Sequence, residues 1–387
     1  MILSPEQSQS LDAVTKLNFQ RPFFLGGYAG TGKTTLLKEL NKRVPNILFL
    51  APTGKACQVL SSKIPDANIR TIHSALYSAM EVTEDMLDDF RKRAKSGDQY
   101  AQSMYDYYTR KNALLVRFSL NPCKELFTHL IVVDEASMVG KTEYENLRSI
   151  APRLVFVGDP AQLPPVESGS ILPDKFDAFL TTVHRAALES PITRLSLAIR
   201  NKEFTSWESW RNEGINILKK GSKSECLEAD QVLAGMNKTR NKLNKQLREE
   251  KIQHLPVVGD KIIIKQNFRR KKGLVLVNGD IGNVLSIEGN IARLHFGYKE
   301  VPYPYFFLQD ELVAPLYGKT ATFVPPKNYP VKFDYAYCIT VHASQGSEWK
   351  KVVFFDDKMW EGRPTERRRL LYTAITRAKE QLTIVTG

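Results

Sequence analysis

The chain has 387 residues, which suits two or more folded units better than a single core. Hydrophobic residues make up 42% and aromatic residues 10%, excluding a disordered or low-complexity protein, and no apolar run reaches the ~18 residues of a membrane span. The 55 Lys and Arg outweigh the 42 Asp and Glu, giving a net charge of +13; this favours a polyanionic partner, nucleic acid first, although an inert basic surface has the same composition.

The cysteines, at 57, 123, 226 and 338, form no CxxC and have no close histidine in sequence. That pattern suggests neither a zinc site nor a disulfide framework and fits reduced thiols. Met1-Ile2-Leu3-Ser4-Pro5-Glu6-Gln7 lacks a signal-peptide pattern, so a cytoplasmic location with no membrane partner is expected.

Ser4-Pro5-Glu6-Gln7 reads as a helix start, with Ser4 as N-cap and Gln7 closing a capping box. The Gln7 amide also offers the donor and acceptor that read an adenine edge, and local sequence leaves both readings open. A short apolar strand, Arg21 to Leu25, then runs into Gly27-Tyr28-Ala29-Gly30-Thr31-Gly32-Lys33-Thr34. This fits the phosphate-loop pattern G-x-x-x-x-G-K-[ST], and Thr35 to Leu40 continues with apolar residues at helical spacing. Glycine lets backbone N–H groups wrap a polyphosphate, and the following helix points its positive end at it. Lys33 would reach the β- and γ-phosphates of ATP and Thr34 would place its hydroxyl on Mg²⁺, with Gly27, Gly30, Thr31, Gly32 and Thr35 completing the cradle.

Asn46 to Ala51 is a second strand, leading into Pro52-Thr53-Gly54 and a helix. Thr71-Ile72-His73 follows a third extended stretch. Small polar residues past strand ends either line the carboxyl edge of a parallel sheet, where α/β folds bind ligands, or are ordinary turn chemistry. Residues 77–128 are charged and tyrosine-rich and read as a helical insertion, either a solvated helical pair or a nucleic-acid surface. Leu130 to Val133 is an apolar strand ending in Asp134 and Glu135, the place for a magnesium carboxylate and a base that deprotonates water. The strand Arg153 to Val157 leads to Gln162, a neutral group suited to sensing a γ-phosphate, and Arg185 is a candidate cation.

A second unit begins near 191. It opens with a strand around Gln231 to Ala234 and a helix bearing Lys238, Arg240, Lys242, Lys245 and Arg248. From Pro256 to about Pro326 short β segments alternate with Asn278-Gly279 and Gly289-Asn290, both hairpin signals, so a small inserted barrel is expected, with Arg269-Arg270-Lys271-Lys272 on an exposed loop. Parallel-strand and helical patterning resumes through Thr340, His342, Gly346 and Glu348, a strand at Lys351 to Phe355, a basic helix reaching Arg377, and a final strand at Gln381 to Val385.

Taken in order, these motifs resemble a superfamily 1 helicase over most of the chain. GGYAGTGKTT resembles motif I, APTGKA motif Ia, TIHS motif Ib, DEAS motif II, VGDPAQLPPV motif III, TVHASQGSEW motif V and LLYTAITRAK motif VI, while LSPEQ resembles the glutamine motif. The SQGSE and VNGDIG forms are most similar to the RecD and phage Dda branch, superfamily 1B. The resemblance implies an α/β fold: two RecA-like parallel-sheet domains with an inserted helical or pin subdomain and an inserted small SH3-like β-barrel. Residues 1–76 and 129–190 would form the ATP-binding domain, with insertion 77–128. Residues 191–256 and 327–387 would form the second, with insertion 257–326. It implies ATP hydrolysis with Mg²⁺ in the cleft between domains and 5′→3′ translocation on single-stranded DNA, with duplex separated at single-strand/double-strand junctions by a monomer. Replication or recombination proteins, in a phage-infected host or otherwise, are the implied partners.

By motif, the resemblance moves the reading of Gln7 toward adenine recognition. Lys33 and Thr34 bind phosphate and metal, Asp134 binds metal, and Glu135 activates water. Gln162 senses the γ-phosphate, Arg185 and Arg377 reach it across the cleft, and Gly346 and Glu348 lie near the nucleotide. Pro52, Thr53, Gly54, His73, Thr340 and His342 grip the DNA strand. In one respect the chain departs from the Dda type: residues 77–128 lack a clear hairpin turn, which leaves the strand-separating residue unassigned.

Overall fold

The structure is a computed structural model. It describes residues 3–16, 21–80, 84–99, 101–102, 105, 117–165, 169–183, 188–248, 257–265, 268–270, 273–276, 278–288, 291–296, 299–300, 305–306, 321–323 and 331–386. Two parallel sheets carry it. The first has six strands in the order Asn68–Thr71, Ile47–Ala51, Leu130–Val133, Leu154–Gly158, Phe23–Gly27 and Ala178–Leu180, all parallel. Its inner strands are unbroken apolar runs, FFLGG, ILFLA, LIVV and LVFVG, and every residue in them is buried, as expected of strands covered on both faces. Leu11, Leu36, Leu37 and Leu40 pack on one face, and Leu76, Leu126 and Leu147 on the other.

The second sheet has five strands in the order Cys338–Thr340, Gln231–Ala234, Trp349–Phe355, Ala378–Val385 and Asn216–Leu218, again all parallel. The helices Pro191–Arg200 and Pro364–Ile375 pack beside it through Ile192, Leu195, Ile199, Leu370, Leu371 and Ile375. Leu163, from the loop after Leu154–Gly158, is buried in this second core. Its N–H donates to Thr373 Oγ1 at 3.0 Å, and its carbonyl accepts from Gln345 Nε2 at 2.7 Å. The two sheets are thereby joined through one buried loop.

The segment read as a barrel forms an antiparallel sheet ordered Lys299–Glu300, Ile291–Phe296, Ile281–Glu288, Lys261–Ile264, Val331–Tyr335 and Ala321–Phe323, with Tyr305–Phe306 also paired to Ile291–Phe296. Among the described residues the pairing runs as a path, not a ring. Two local expectations need correction. The turn at Asn278-Gly279, where Gly279 has φ 93°, does not close a hairpin. The Gly279 N–H donates to Ile264, and Ile281–Glu288 pairs with Lys261–Ile264, whereas Gly273–Leu276 pairs back to Phe268–Arg270. Arg269 and Arg270 therefore lie in a strand, not on a loop; Lys271 and Lys272 lie outside the described residues. The strands on either side of Gly289-Asn290 do pair, Glu288 opposing Ile291, while those two residues lie outside the described ones.

The insertion after residue 76 carries the expected helix, Glu84–Lys95. Its ends, however, form an antiparallel ladder, Tyr77–Met80 against Arg117–Leu120, which a helical reading misses. The basic helix Asn237–Arg248 turns two of its cations inward. Arg240 meets Asp334 at 3.1 Å, and Arg248 meets Asp260 at 3.0 Å with both side chains almost fully buried. Among the described residues no helix is long and apolar enough to cross a membrane.

Candidate active site

The cleft is entered from the ends of strands in the first sheet and from the end of the helix Pro364–Ile375 in the second unit. The strand Phe23–Gly27 hands over to the loop, in which Gly30 and Gly32 have φ 78° and 82°, a left-handed backbone that strains any residue with a Cβ. The helix Lys33–Arg43 starts at Gly32 with no side-chain cap, so its first N–H groups are free of side-chain competition for an anion. Thr31 Oγ1 donates to the Tyr28 carbonyl at 2.8 Å and tightens the turn. Lys33 Nζ folds back onto the Gly27 and Tyr28 carbonyls at 2.7 and 3.0 Å.

Gln7 is buried against the back of this loop. Its Nε2 donates to the carbonyls of Thr31 and Gly32 at 3.3 and 3.4 Å, and its Oε1 accepts from Ser4 N–H at 2.9 Å. The capping box is therefore present, and Gln7 is not among the residues that line the cleft.

The cleft has a volume of about 570 Å³ and is lined from the first sheet by Gly30, Gly32, Lys33, Thr34, Thr35, Asp134, Glu135 and Gln162, and from the second by Glu348, Thr376 and Arg377. A smaller cavity of about 50 Å³ shares Thr34, Asp134, Glu135, Glu348 and Arg377 and adds Gly346. Residues spread over more than 300 positions in sequence thus share one space. Gly27 and Thr31 stand behind it, and Arg185 lies outside the described residues.

Asp134 and Glu135 follow the strand Leu130–Val133. Glu135 is held at φ 52°, a left-handed conformation costly for a residue with a side chain and characteristic of functional turns. Burial pushes the Glu135 carboxyl up to about 7; the neighbouring Asp134 adds to this, while Arg377 and Lys33 pull against it. Asp134 is likewise raised by burial. Gln162 is buried, and its Oε1 has no hydrogen-bond partner among the described residues. Such a buried acceptor is costly unless something completes it.

Arg377 is 4% exposed, and all three of its nitrogens are engaged within its own unit: Nε with Thr373 O at 3.0 Å, Nη1 with Ser347 O at 3.0 Å and Nη2 with Thr376 Oγ1 at 3.1 Å. Burial works against the charge of Glu348, but Lys63, Lys379 and Arg377 outweigh it and lower its pKa; Lys379 pairs with it at 3.1 Å.

The residues expected to grip a strand sit at carboxyl ends in both sheets. Thr53, after Pro52, caps the helix Gly54–Lys63 by accepting from Ala56 N–H at 3.1 Å. Thr340 accepts from Ala343 N–H at 3.3 Å in the corresponding place beyond Cys338–Thr340. His73 lies in the short helix Ile72–Leu76 with its ring 4.8 Å from Tyr77, and the His342 ring is 5.7 Å from Trp360. Gly346, at φ 71°, brings the second unit against the first: a Cβ there would stand 3.2 Å from Ala56 and 3.6 Å from Thr53.

Sequence reasoning missed three groups. Lys63 lines both cavities from the end of its helix. The Tyr372 hydroxyl accepts from Ala29 N–H at 2.8 Å and donates to Asp159 Oδ2 at 2.7 Å. Arg200 lies over the Tyr28 ring. Tyr372 stood inside a quoted motif; nothing local marked the other two.

The family profile described as an AAA domain matches residues 2–220, and the profile of the UvrD-like helicase C-terminal domain matches residues 335–385. The chain is 27% identical to the RecBCD enzyme subunit RecD of Mycolicibacterium smegmatis, over 93% of this chain and 67% of that one. It is 27% identical to the ATP-dependent RecD2 DNA helicase of Deinococcus radiodurans, over 98% and 48%. The uncharacterized protein MJ1519 of Methanocaldococcus jannaschii is 25% identical over 97% and 37%. The chain thus spans about half the length of these curated relatives. Among solved structures, Bacteroides Pif1 bound to ssDNA shares the fold with a TM-score of 0.59 at 18% identity, covering 100% of this chain and 92% of that one. Pif1 helicase from Candida albicans does so with 0.54 at 19%, covering 100% and 95%.

Proposed function

Because this chain belongs to the superfamily 1B helicases of the RecD type, we propose that it is an ATP-driven motor that moves 5′→3′ along single-stranded DNA and separates duplex at the junction. The observation that carries the reading is the single cleft in which Lys33, Thr34, Asp134, Glu135 and Gln162 from one sheet face Glu348 and Arg377 from the other. Residues 1–76 with 129–190, and 191–256 with 327–387, are the two RecA-like domains; 77–128 is a strand-separating insertion and 257–326 an SH3-like barrel.

Lys33 leaves the Gly27 and Tyr28 carbonyls to meet the β- and γ-phosphates, and the uncapped N–H groups after Gly32 cradle them. Gln7 braces the loop from behind. The donor set suits magnesium: the Thr34 hydroxyl and the Asp134 carboxylate share the cleft with no other protein cation bound to them by a salt bridge among the described residues. When bound, the ion withdraws charge from the phosphate oxygens. Glu135 takes the proton of the attacking water, a role suited to a carboxyl held near neutrality. Gln162 offers its unpartnered amide oxygen to the same water as an acceptor, and its Nε2 is the end that would donate to a γ-phosphate oxygen. Arg377, and Arg185 with it, supplies positive charge from across the joint, so hydrolysis depends on closure.

Closure also changes the spacing between the first grip, formed by Pro52, Thr53, Gly54 and His73, and the second, formed by Thr340 and His342. The grips alternate and move the protein along the strand. Contacts go mainly to phosphates, so binding is salt-sensitive and nearly blind to sequence. The test is steady-state ATP turnover with and without a single-stranded oligodeoxynucleotide. Stimulated turnover that disappears in Lys33→Ala is expected; DNA binding without any turnover would overturn the motor.

A further inference from the structure

Tyr28 is the one aromatic side chain of the phosphate loop, and it is gripped from both units. On its own side the ring meets Phe179 edge-on, with centroids 4.9 Å apart. Gly26 makes room for Phe179, since a Cβ there would lie 2.3 Å from its ring. On the other side the Arg200 guanidinium lies over the Tyr28 ring, 3.8 Å from its centroid. Arg200 ends the helix Pro191–Arg200, which packs on the second sheet through Ile192, Leu195 and Ile199.

The contact is therefore a bond across the joint, and it does not stand alone. The neighbouring residue, Ala29, gives its N–H to Tyr372 of the second unit at 2.8 Å. Arg200 has little else to hold it. Its Nε donates to the adjacent Asn201 Oδ1 at 3.2 Å, and its Nη1 is buried with no hydrogen-bond partner among the described residues. A buried guanidinium nitrogen without an acceptor is unfavourable. The aromatic face offsets part of that cost, because the ring quadrupole attracts a desolvated cation.

We propose that Arg200 is a positioning residue for the phosphate loop: by clasping Tyr28, alongside the Tyr372–Ala29 bond, it makes the shape of the loop depend on the second unit being docked. Arg200 is not among the residues lining the cleft, so it acts through Tyr28, which is. The clasp is a mechanical link that runs opposite to the arginine at 377. Arg377 carries the state of the joint to the phosphates as charge; Arg200 carries it to the loop as geometry.

This inference rests on the nucleotide-binding reading of the cleft, and its test separates the two. The affinity of the whole protein for a fluorescent ADP analogue is measured by equilibrium titration, without DNA, for wild type, Lys33→Ala, Tyr28→Phe, Tyr28→Leu, Arg200→Met and the Tyr28→Leu/Arg200→Met double variant. Thermal midpoints are recorded on the same samples. Arg200→Met and Tyr28→Leu should each weaken binding about tenfold, the double variant should be no weaker than either, and Tyr28→Phe, which keeps the ring, should bind like wild type. Unchanged affinity in both single variants overturns the clasp, even if their midpoints fall, because that is the mark of a merely structural contact. Fully additive losses overturn it too. If wild type binds no more tightly than Lys33→Ala, the nucleotide reading fails and the clasp falls with it.

Discussion

Lys33 and Arg377 enter the same cleft from opposite sheets, and they are held in opposite ways. The Lys33 amine rests on two carbonyls of its own loop, 2.7 and 3.0 Å away, which it can exchange for other oxygens. Arg377 is fixed by three hydrogen bonds to residues of its own unit and is almost wholly buried. One cation is adjustable and the other is aimed in advance. On the proposed reading, the difference separates two roles: the phosphate loop would adapt to what it binds, whereas the second unit would deliver its charge by moving as a body.

The comparison breaks most completely at Lys33. Lys33→Ala should lower ATP turnover by about 10³-fold or more and weaken nucleotide binding with it, as read by steady-state kinetics and direct titration. Arg377→Ala should lower kcat by about 10³-fold and leave nucleotide binding close to wild type, because its charge matters only as the transition state forms. If both variants lost binding equally, the division between an adaptable and a pre-aimed cation would be wrong.

Stability sharpens the same contrast. The second unit contains an ion pair buried to a degree that the first does not match among the described residues: Arg248 with Asp260, at 3.0 Å, joined by the Tyr337 hydroxyl at 2.9 Å and stacked on Tyr335. Arg248→Ala leaves Asp260 charged and buried, and should cost about 3–5 kcal/mol in urea unfolding. The smallest effect is at the exposed edge of the first unit. The Glu6 carboxylate accepts hydrogen bonds from Thr181 and Thr182 backbone N–H groups at 2.9 and 3.0 Å, and these, with the Thr181 hydroxyl foremost, hold its pKa below the usual range. A carboxyl with a lowered folded-state pKa stabilises above its unfolded value and loses that contribution as pH falls through the folded one. Thermal midpoints of wild type and Glu6→Gln should therefore differ slightly at neutral pH and converge in acid.

The phosphate loop and the paired acids were legible because strand, turn and helix are contiguous, and their spacing is the chemistry. The continuous apolar runs likewise announced the inner strands of the first sheet. What stayed hidden depends on distant pairing. Tyr372 meets Ala29 across 343 positions, and no local pattern distinguishes a helix tyrosine that crosses a joint from one that fills a core. Arg240 and Arg248 look like surface charge in a helix of that composition, yet they point inward because Asp334 arrives from the strand Val331–Tyr335, far along the chain, and Asp260 from the turn just before Lys261–Ile264. Asn278-Gly279 has the sequence of a hairpin turn and makes a turn, but the strand beyond it finds a better partner in Lys261–Ile264. Gln7 shows a further limit: its amide serves the capping box and the loop together, so two readings of one residue drew on the same hydrogen-bonding capacity.

The most direct measurement is strand separation of a short DNA duplex bearing either a 5′ or a 3′ single-stranded tail, with ATP and Mg²⁺ and with Lys33→Ala as control. The account predicts unwinding from the 5′ tail only, absent in Lys33→Ala. Unwinding from the 3′ tail alone, or equal unwinding by Lys33→Ala, would contradict it.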